Sequence, residues 1–382
     1  MYHSWFFWEN MLLYSNNCEI RVQITHFQPW KDFGILMRLV LDGITAYEYW
    51  MLYNNRYAHG TDIMMKQRLT SFEKVTSTEL GEAIAKNEGK PGPMHLLVES
   101  AKDRRRSKWF SCHVWSSSTP LPPNSIHNIG PSLYVESPEL CMVRLAATIP
   151  RYELYHKVSN MLGLFAFDFW ERMSLVEREP ITTIESAKAY LQMVPHARGV
   201  RALRQALTSV SERCRSPRES TLALLLKMPT RLGGQSLPPF EVNARLNLSN
   251  DARPLTTRRY LEGDVVWRSK NAVLEYNSDE WHLDAVHIMT DMEKIATLQR
   301  MGVTVFPMTT RQFDDYEAFE TIIQGIRNAL GVRDRDADLV RGRRQLLHYD
   351  LMEIERTERE EPVLSETSRW KYLAPRLDVA DS

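Results

Sequence analysis

Hydrophobic and polar positions alternate most regularly after residue 216, where they predict a series of short helices and strands. Ser216 and Pro217 predict the start of a helix that runs through Leu226, because serine caps helices and proline suits their first turn. Short apolar runs predict strands at 241–248, 259–267, 272–276 and 303–308. Apolar residues at helical spacing, each series followed by glycine, predict helices at 284–301 and 314–330.

The first half of the chain has a less regular pattern. Residues 42–53 predict a helix capped by Asp42, and Ser137 with Pro138 predicts the start of another. The remaining predicted elements are strands at 95–98, 109–115 and 132–135 and helices at 151–175, 184–193 and 199–213. A basic run at 102–108 separates two of these strands; it predicts a solvated hairpin or loop, with phosphate contact as the alternative.

These elements predict the α/β class (α+β), with a mixed central sheet flanked by helices in the second half. The 382 residues exceed the ~250–300 at which one core usually divides, so more than one domain is expected. The pattern divides the chain into an N-terminal α/β region, a helical connector, an α/β domain and a charged helix or tail. Their ranges are 1–150, 151–215, 216–331 and 332–382.

Composition narrows the range of functions. The 48 basic residues balance the 48 acidic ones, so any surface that binds nucleic acid must be local. The four cysteines lie far apart, which excludes a cysteine-rich zinc module and fits a reducing cytoplasm. Residues 2–14 are rich in aromatic side chains but fall short of the ~20 apolar residues that span a bilayer. We therefore expect a cytoplasmic protein with no membrane segment and no targeting segment.

Two acidic residues lie on adjacent predicted strands, Asp264 on the second strand of the domain and Glu275 on the third. In a hairpin, acids on the same face converge, and two carboxylates repel each other unless a divalent cation lies between them. The spacing therefore predicts a Mg²⁺ or Mn²⁺ site formed by Asp264 and Glu275. The alternative is that both acids face solvent on a half-exposed hairpin.

The residues around these acids form an ordered set of motifs. G-D-V-V-W at 263–267 is followed by V-L-E-Y-N-S-D-E-W-H at 273–282, a helix, and M-G-V-T-V-F at 301–306. This series resembles the endonuclease domain of the Vsr-like branch of the PD-(D/E)xK nucleases, over residues 216–331. The resemblance implies a restriction-endonuclease-like core that hydrolyses phosphodiester bonds of nucleic acid, with DNA as the expected substrate. It also implies that Asp264 and Glu275 hold the metal ion.

Further residues acquire roles from this resemblance. Glu219 matches an acid that some of these nucleases add to the site, and it also completes a capping box, S-P-R-E. His282 would lie near the scissile phosphate and transfer a proton or orient the phosphate. Asp291 matches a helical aspartate of the family, although a solvated helix face is the alternative. Arg311, after the last strand, and Lys270, in the turn between two strands, are the expected nucleic-acid contacts.

The sequence also departs from the family pattern. The lysine of the E-x-K signature is missing, because Asn277 stands two residues after Glu275. The Vsr-like branch usually has aspartate at that position, and Asp279 is close enough to replace it. Where the helix pattern expects arginine, the chain offers Lys294 or His287. These departures leave open a second class of function, a non-catalytic, antitoxin-like regulator that binds DNA or protein through a degenerate nuclease core.

The first half carries a shorter likeness. C-H-V-W at 112–115, Y-V at 134–135 and S-P at 137–138 are similar to a region of abortive-infection antitoxin-type proteins. This likeness implies a defence or toxin–antitoxin context, and it assigns no catalytic residue. A nuclease that cuts both strands would pair with a second copy, and a toxin–antitoxin context would supply a partner from the same operon. The sequence leaves both partners open.

Overall fold

Helices and strands alternate along most of the chain, as the hydrophobic pattern predicts. The computed structural model describes residues 13–15, 18–20, 39–53, 93–98, 100–104, 110–115, 117–130, 133–168, 174–277, 285–333 and 338–360. The described strands are β1 (Leu13–Ser15), β2 (Cys18–Ile20), β3 (Leu39–Leu41), β4 (Leu52–Tyr53), β5 (Met94–Val98), β6 (Phe110–Val114), β7 (Ile126–Gly130), β8 (Leu133–Glu136), β9 (Phe165–Asp168), β10 (Ser174–Glu177), β11 (Glu241–Asn247), β12 (Tyr260–Trp267), β13 (Ala272–Asn277) and β14 (Thr304–Thr309). The described helices are α1 (Gly43–Met51), α2 (Pro138–Thr148), α3 (Arg151–Met161), α4 (Ile184–Met193), α5 (Val200–Ala206), α6 (Pro217–Lys227), α7 (Ala285–Arg300), α8 (Thr310–Asp314), α9 (Tyr316–Leu330) and α10 (Asp338–Glu360).

The larger sheet of the first half has the strand order β6-β5-β3-β8-β7. β3 is parallel to β8, and β5 is parallel to β6, while the other pairs are antiparallel. The parallel pairing of β5 with β6 contradicts the hairpin predicted for the basic run at 102–108. A parallel pair needs a crossover connection, because the second strand must begin at the same end of the sheet as the first.

The sheet of the second half has the order β11-β12-β13-β14, with two antiparallel pairs followed by one parallel pair. The α/β class and the mixed sheet are therefore confirmed, as is the predicted order of helix, three strands, helix, strand and helix. One face of the sheet buries Trp267 and Leu274 in the main core, where α6 and α9 also contribute apolar residues. On the other face, Ala244, Val266 and Val273 form a separate small cluster.

The segment between 151 and 215 differs from the helical connector that the pattern predicts. Helix α3 ends at Met161 rather than at 175, and β9 and β10 follow as an antiparallel pair beside β4. Gly163 lies where an added Cβ would come within 2.9 Å of the Cys214 carbonyl oxygen. A glycine at this position therefore allows the chain to pass close to Cys214 between α3 and β9. Helix 184–193 is confirmed, whereas the predicted helix at 199–213 is shorter, ending at Ala206.

Helix α10 corrects the expectation of a solvated, charged helix after residue 332. Its inner face buries Arg344, Leu347, His348, Leu351 and Glu355. These positions repeat at helical spacing, and α10 packs against α3 and α6. The largest hydrophobic cluster of the described residues consequently runs from Leu41 to Leu351 and joins both halves of the chain.

The end of α10 is held by a buried ion pair. The carboxylate of Glu358 accepts hydrogen bonds from Lys157 Nζ at 2.5 Å and from Asn160 Nδ2 at 3.1 Å, and it lies 3.2 Å from His156 Nδ1. Burial would raise the pKa of Glu358, but the charges of Lys157 and His156 outweigh burial and hold the pKa well below its usual value. Glu358 therefore ties α10 to α3.

None of the described helices combines the length and the apolar composition needed to cross a membrane.

We expect Glu358→Gln to lower the free energy of unfolding by about 3 kcal/mol at pH 7, because it removes one charge of a buried pair. The pKa of Glu358 is depressed in the folded state, so its contribution is present above the unfolded value near 4.5 and is lost as the pH falls. Urea unfolding at pH 7 and at pH 3.5 measures this, and the difference from wild type should shrink at the lower pH. Glu179→Gln, an exposed glutamate outside α10, is the control and should leave the midpoint unchanged. Equal midpoints for wild type and Glu358→Gln at pH 7 would contradict the account.

Candidate active site

The hairpin of β12 and β13 brings Asp264 and Glu275 to neighbouring positions. Val265 pairs with Leu274 in the antiparallel register. Asp264 precedes Val265 and Glu275 follows Leu274, so the two acids lie next to the same pair and on the same side of it. The backbone N–H of Tyr276 donates a hydrogen bond of 2.7 Å to Asp264 Oδ2. The carboxylate of Asp264 is thereby fixed against the strand that carries Glu275.

Glu275 is buried, with 4% of its surface exposed. Burial, together with the charge of Asp264, raises its pKa to about 8, against the opposing effect of Lys294. Its Oε1 atom is buried without a hydrogen-bond partner among the described residues. Burial also raises the pKa of Asp264. The solvent-facing alternative for this hairpin is therefore wrong for Glu275, which lies in a desolvated, negatively charged site.

Glu219 lies in the first turn of α6, and its local bonds explain its orientation. Its backbone N–H donates to Ser216 Oγ at 3.1 Å, while its Oε2 accepts from the backbone N–H of Arg215 at 2.9 Å. Asn243 Nδ2 donates to the same oxygen at 2.6 Å. Burial, and then the charge of Asp264, raise the pKa of Glu219 to about 7. Ser216 therefore caps α6 as predicted, but the Glu219 side chain accepts from the backbone of Arg215 rather than from that of Ser216, as a capping box would require. The charge of Asp264 reaches Glu219, and the role of Glu219 in the site stays a prediction.

Asn243 is a residue of this site that sequence reasoning missed. It has a φ of +50° and lies between the paired positions Val242–Val265 and Ala244–Gly263. Asparagine adopts such left-handed backbone more readily than most residues, so it suits this interruption of the β11–β12 pairing. The signal present in the sequence is an asparagine between the apolar residues Val242 and Ala244.

Lys294 supplies a positive charge at the site, where β13 has Asn277 in place of the lysine of the E-x-K signature. It lies on α7, one turn after Asp291, and its Nζ donates a hydrogen bond to Glu275 Oε2. Its charge lowers the pKa of both Asp264 and Glu275, whereas the exposed Asp291 raises both. The sequence offered Lys294 only as a replacement for a helical arginine. Its pairing with Glu275 depends on how α7 packs across the sheet, and no local pattern shows that.

A cleft of about 460 Å³ opens beside these acids. It is lined by Arg215, Arg258, Arg259, Tyr260, Glu262, Asp264 and Lys294. Arg215 forms an ion pair of 2.8 Å with Glu262, while Arg258 and Arg259 are exposed and have no ion-pair partner among the described residues. The cleft therefore combines the half-buried carboxylate of Asp264 with two unpaired arginines. The arginines that precede β12 were not among the contacts predicted from the sequence.

The structure places the two predicted nucleic-acid contacts away from the lining of this cleft. Lys270 lies in the turn that joins β12 to β13, and Arg311 lies in α8, directly after β14. Both side chains are exposed. His282 and Asp279 lie outside the described residues.

The donor set fits a divalent cation that keeps part of its water. Within the described residues, no three His, Cys, Asp or Glu side chains are grouped as a metal-ion site. Mg²⁺ in proteins is commonly bound through one or two carboxylates, with water and substrate oxygens completing its shell. Asp264 and Glu275 meet this requirement, and the unpartnered Oε1 of Glu275 is an oxygen available to such an ion. Among the described residues, the site therefore offers two carboxylates rather than a complete shell of protein ligands.

Comparison with protein-family models, with curated proteins and with solved structures gave no match. The function is therefore inferred from the site itself. The likeness to Vsr-like nucleases stays an expectation carried by the motifs at 263–306.

In metal-free buffer, we expect Glu275→Gln to stabilise the protein by about 2 kcal/mol at pH 8.5, because it removes a buried charge. The pKa of Glu275 is raised in the folded state, so its unfavourable effect is absent near pH 4.5 and grows as the pH rises towards about 8. Urea unfolding at pH 5 and pH 8.5 should show the difference only at the higher pH. Glu241→Gln, on the exposed part of β11, is the control. Equal destabilisation by Glu275→Gln at both pH values would contradict this description.

Proposed function

We propose that the chain hydrolyses phosphodiester bonds of nucleic acid in a metal-dependent reaction, with DNA as the expected substrate. The observation that carries the proposal is the buried Glu275 beside Asp264 and Lys294, next to a cleft with unpaired arginines. Such perturbed acids in a cleft are typical of catalytic sites. The ordered motifs that resemble Vsr-like nucleases support the same chemistry.

Asp264 and Glu275 are the residues that would hold the cation. When bound, Mg²⁺ or Mn²⁺ would supply Lewis-acid stabilisation of the negative charge that develops on the phosphate. The N–H of Tyr276 keeps the Asp264 carboxylate in place. Lys294 offsets part of the acidic charge, so that a phosphate diester can approach without strong repulsion.

Glu219 is suited to proton transfer near neutral pH. Both of its recorded carboxylate hydrogen bonds end at Oε2, so Oε1 is the atom at which it would hold or release a proton. Its pKa of about 7 matches the range in which a general acid or base is most effective. We assign Glu219 this role beside the two metal-holding acids.

Arg258 and Arg259 would bind the backbone of the nucleic acid. Arginine side chains recognise phosphate oxygens through paired N–H groups, and phosphate contacts position the strand without reading its sequence. Their unpaired charges lie along the same cleft as Asp264 and Lys294. A phosphate bound between them would be directed towards the acids.

We expect Asp264→Asn and Glu275→Gln each to reduce Mg²⁺-dependent cleavage at least ~100-fold, because each removes an oxygen that holds the cation. Cleavage of plasmid, single-stranded DNA and RNA in Mg²⁺ and Mn²⁺ would be measured by gel electrophoresis. Glu241→Gln is the matched control, an exposed carboxylate on the neighbouring strand, and it should cleave like wild type.

Two results would contradict this proposal. Equal cleavage by wild type and by both variants would show that the activity belongs to a contaminant or to another site. Binding of DNA by wild type without cleavage in either metal would favour the non-catalytic regulator instead.

We expect the double variant Arg258→Ala, Arg259→Ala to bind single-stranded DNA less tightly than wild type. The slope of the logarithm of the binding constant against the logarithm of the salt concentration should become less steep by ~2, since each arginine accounts for ~1. Fluorescence anisotropy in EDTA, over a series of salt concentrations, measures both quantities without cleavage. Lys270→Ala and Arg311→Ala test the two contacts predicted from the sequence, and they should change the slope less. A larger loss from either of these variants would place the binding surface elsewhere.

A further inference from the structure

Helix α10 carries an apolar stripe on its outer face. Leu339, Leu346 and Tyr349 are 65%, 64% and 53% exposed. Together with Gly342 and Glu353 they recur at alternating steps of three and four residues, which is the spacing of a two-helix seam. Three large apolar side chains on one helix face are unusual for a surface that only meets water.

The opposite face of α10 is already committed to the core of its own chain. Leu347 and Leu351 are buried there, and Arg344 and His348 are buried beside them. The apolar stripe is therefore not a displaced core face that could be buried by rotating the helix. A surface that covers the stripe has to come from outside the described part of the chain.

The charged residues beside the apolar stripe indicate which binding partner is complementary to it. Arg343 and Asp350 occupy equivalent flanking positions, one heptad apart, and both are exposed. Neither has an ion-pair partner among the described residues. When two copies of such a helix pack antiparallel, equivalent flanking positions meet, so Arg343 of each copy faces Asp350 of the other. Two identical copies of this surface can therefore form two equivalent ion pairs with each other.

The same register also matches two of the three apolar residues of the stripe. It packs Leu346 of one copy against Tyr349 of the other, and it places Glu353 opposite Gly342, where no side chain competes. A parallel arrangement would instead set Glu353 against Glu353 within the seam. Like charges in that position destabilise a helix pair, so the antiparallel arrangement is favoured.

We propose that a second copy of this chain binds to the stripe, forming a two-fold symmetric dimer through antiparallel α10 helices. The contact is isologous, since the same surface is used by both copies. It rests on α10 alone and is independent of the proposed nuclease activity. The seam is short, so the dimer should dissociate at ~10 µM rather than at nanomolar concentration.

Sedimentation equilibrium of the full chain between ~1 and ~100 µM tests the proposal, with unfolding midpoints measured in parallel. Wild type should pass from monomer to dimer, and Leu346→Lys should raise the dissociation constant at least ~10-fold. The unfolding midpoint at ~1 µM, where both proteins are monomeric, should be unchanged. Met292→Lys is the matched control, because Met292 is 65% exposed on a different helix, α7. Monomeric wild type throughout, or dissociation caused by Met292→Lys, would overturn the proposal.

Charge reversal tests the antiparallel register. Arg343→Asp and Asp350→Arg should each raise the dissociation constant ~10-fold, because each brings like charges together twice in the dimer. The double variant Arg343→Asp, Asp350→Arg restores opposite charges and should return within ~3-fold of wild type. In a parallel pair, the aspartate introduced by Arg343→Asp would face Asp338 of the other copy, and the double variant would stay dissociated. That result would contradict the antiparallel register.

Discussion

The structure depends on the burial of α6 between both halves of the chain. The helix buries Pro217 and every residue from Ser220 to Leu226, and it packs against α3 and α10. A helix whose residues are buried on every side is enclosed by protein, so the elements around α6 cannot separate without exposing it. Its capped first turn carries Glu219, and the central helix of the core therefore also fixes one acid of the candidate site.

The same enclosure desolvates the charges next to α6. Glu219, Asp264 and Glu275 share one region, and burial raises the pKa of each of them. Lys294 is the ammonium group that contacts Glu275. Replacing such acids by apolar residues would stabilise the fold, and proteins retain costly groups of this kind mainly where function needs them. The unfavourable burial of these acids therefore supports the proposed chemistry.

The sequence predicted the parts of this architecture that local patterns determine. The order of elements after residue 216, the cap at Ser216 and the proximity of Asp264 to Glu275 follow from periodicity, capping and strand pairing. Contacts between distant segments could not be predicted in this way. Lys294 reaches Glu275 only because of how α7 packs, and Glu358 binds Lys157 across 201 positions of sequence. The strands β9 and β10 were missed because an aromatic run after a helix also fits a longer helix.

Binding of Mn²⁺ by Asp264 and Glu275 can be measured without a substrate and without any cleavage. Electron paramagnetic resonance of free Mn²⁺, titrated with the metal-free chain at pH 7.5, reports how much of the ion is bound. The account predicts a single site that Glu275→Gln removes and Glu241→Gln retains. No binding at millimolar Mn²⁺, or equal binding by wild type and Glu275→Gln, would contradict it.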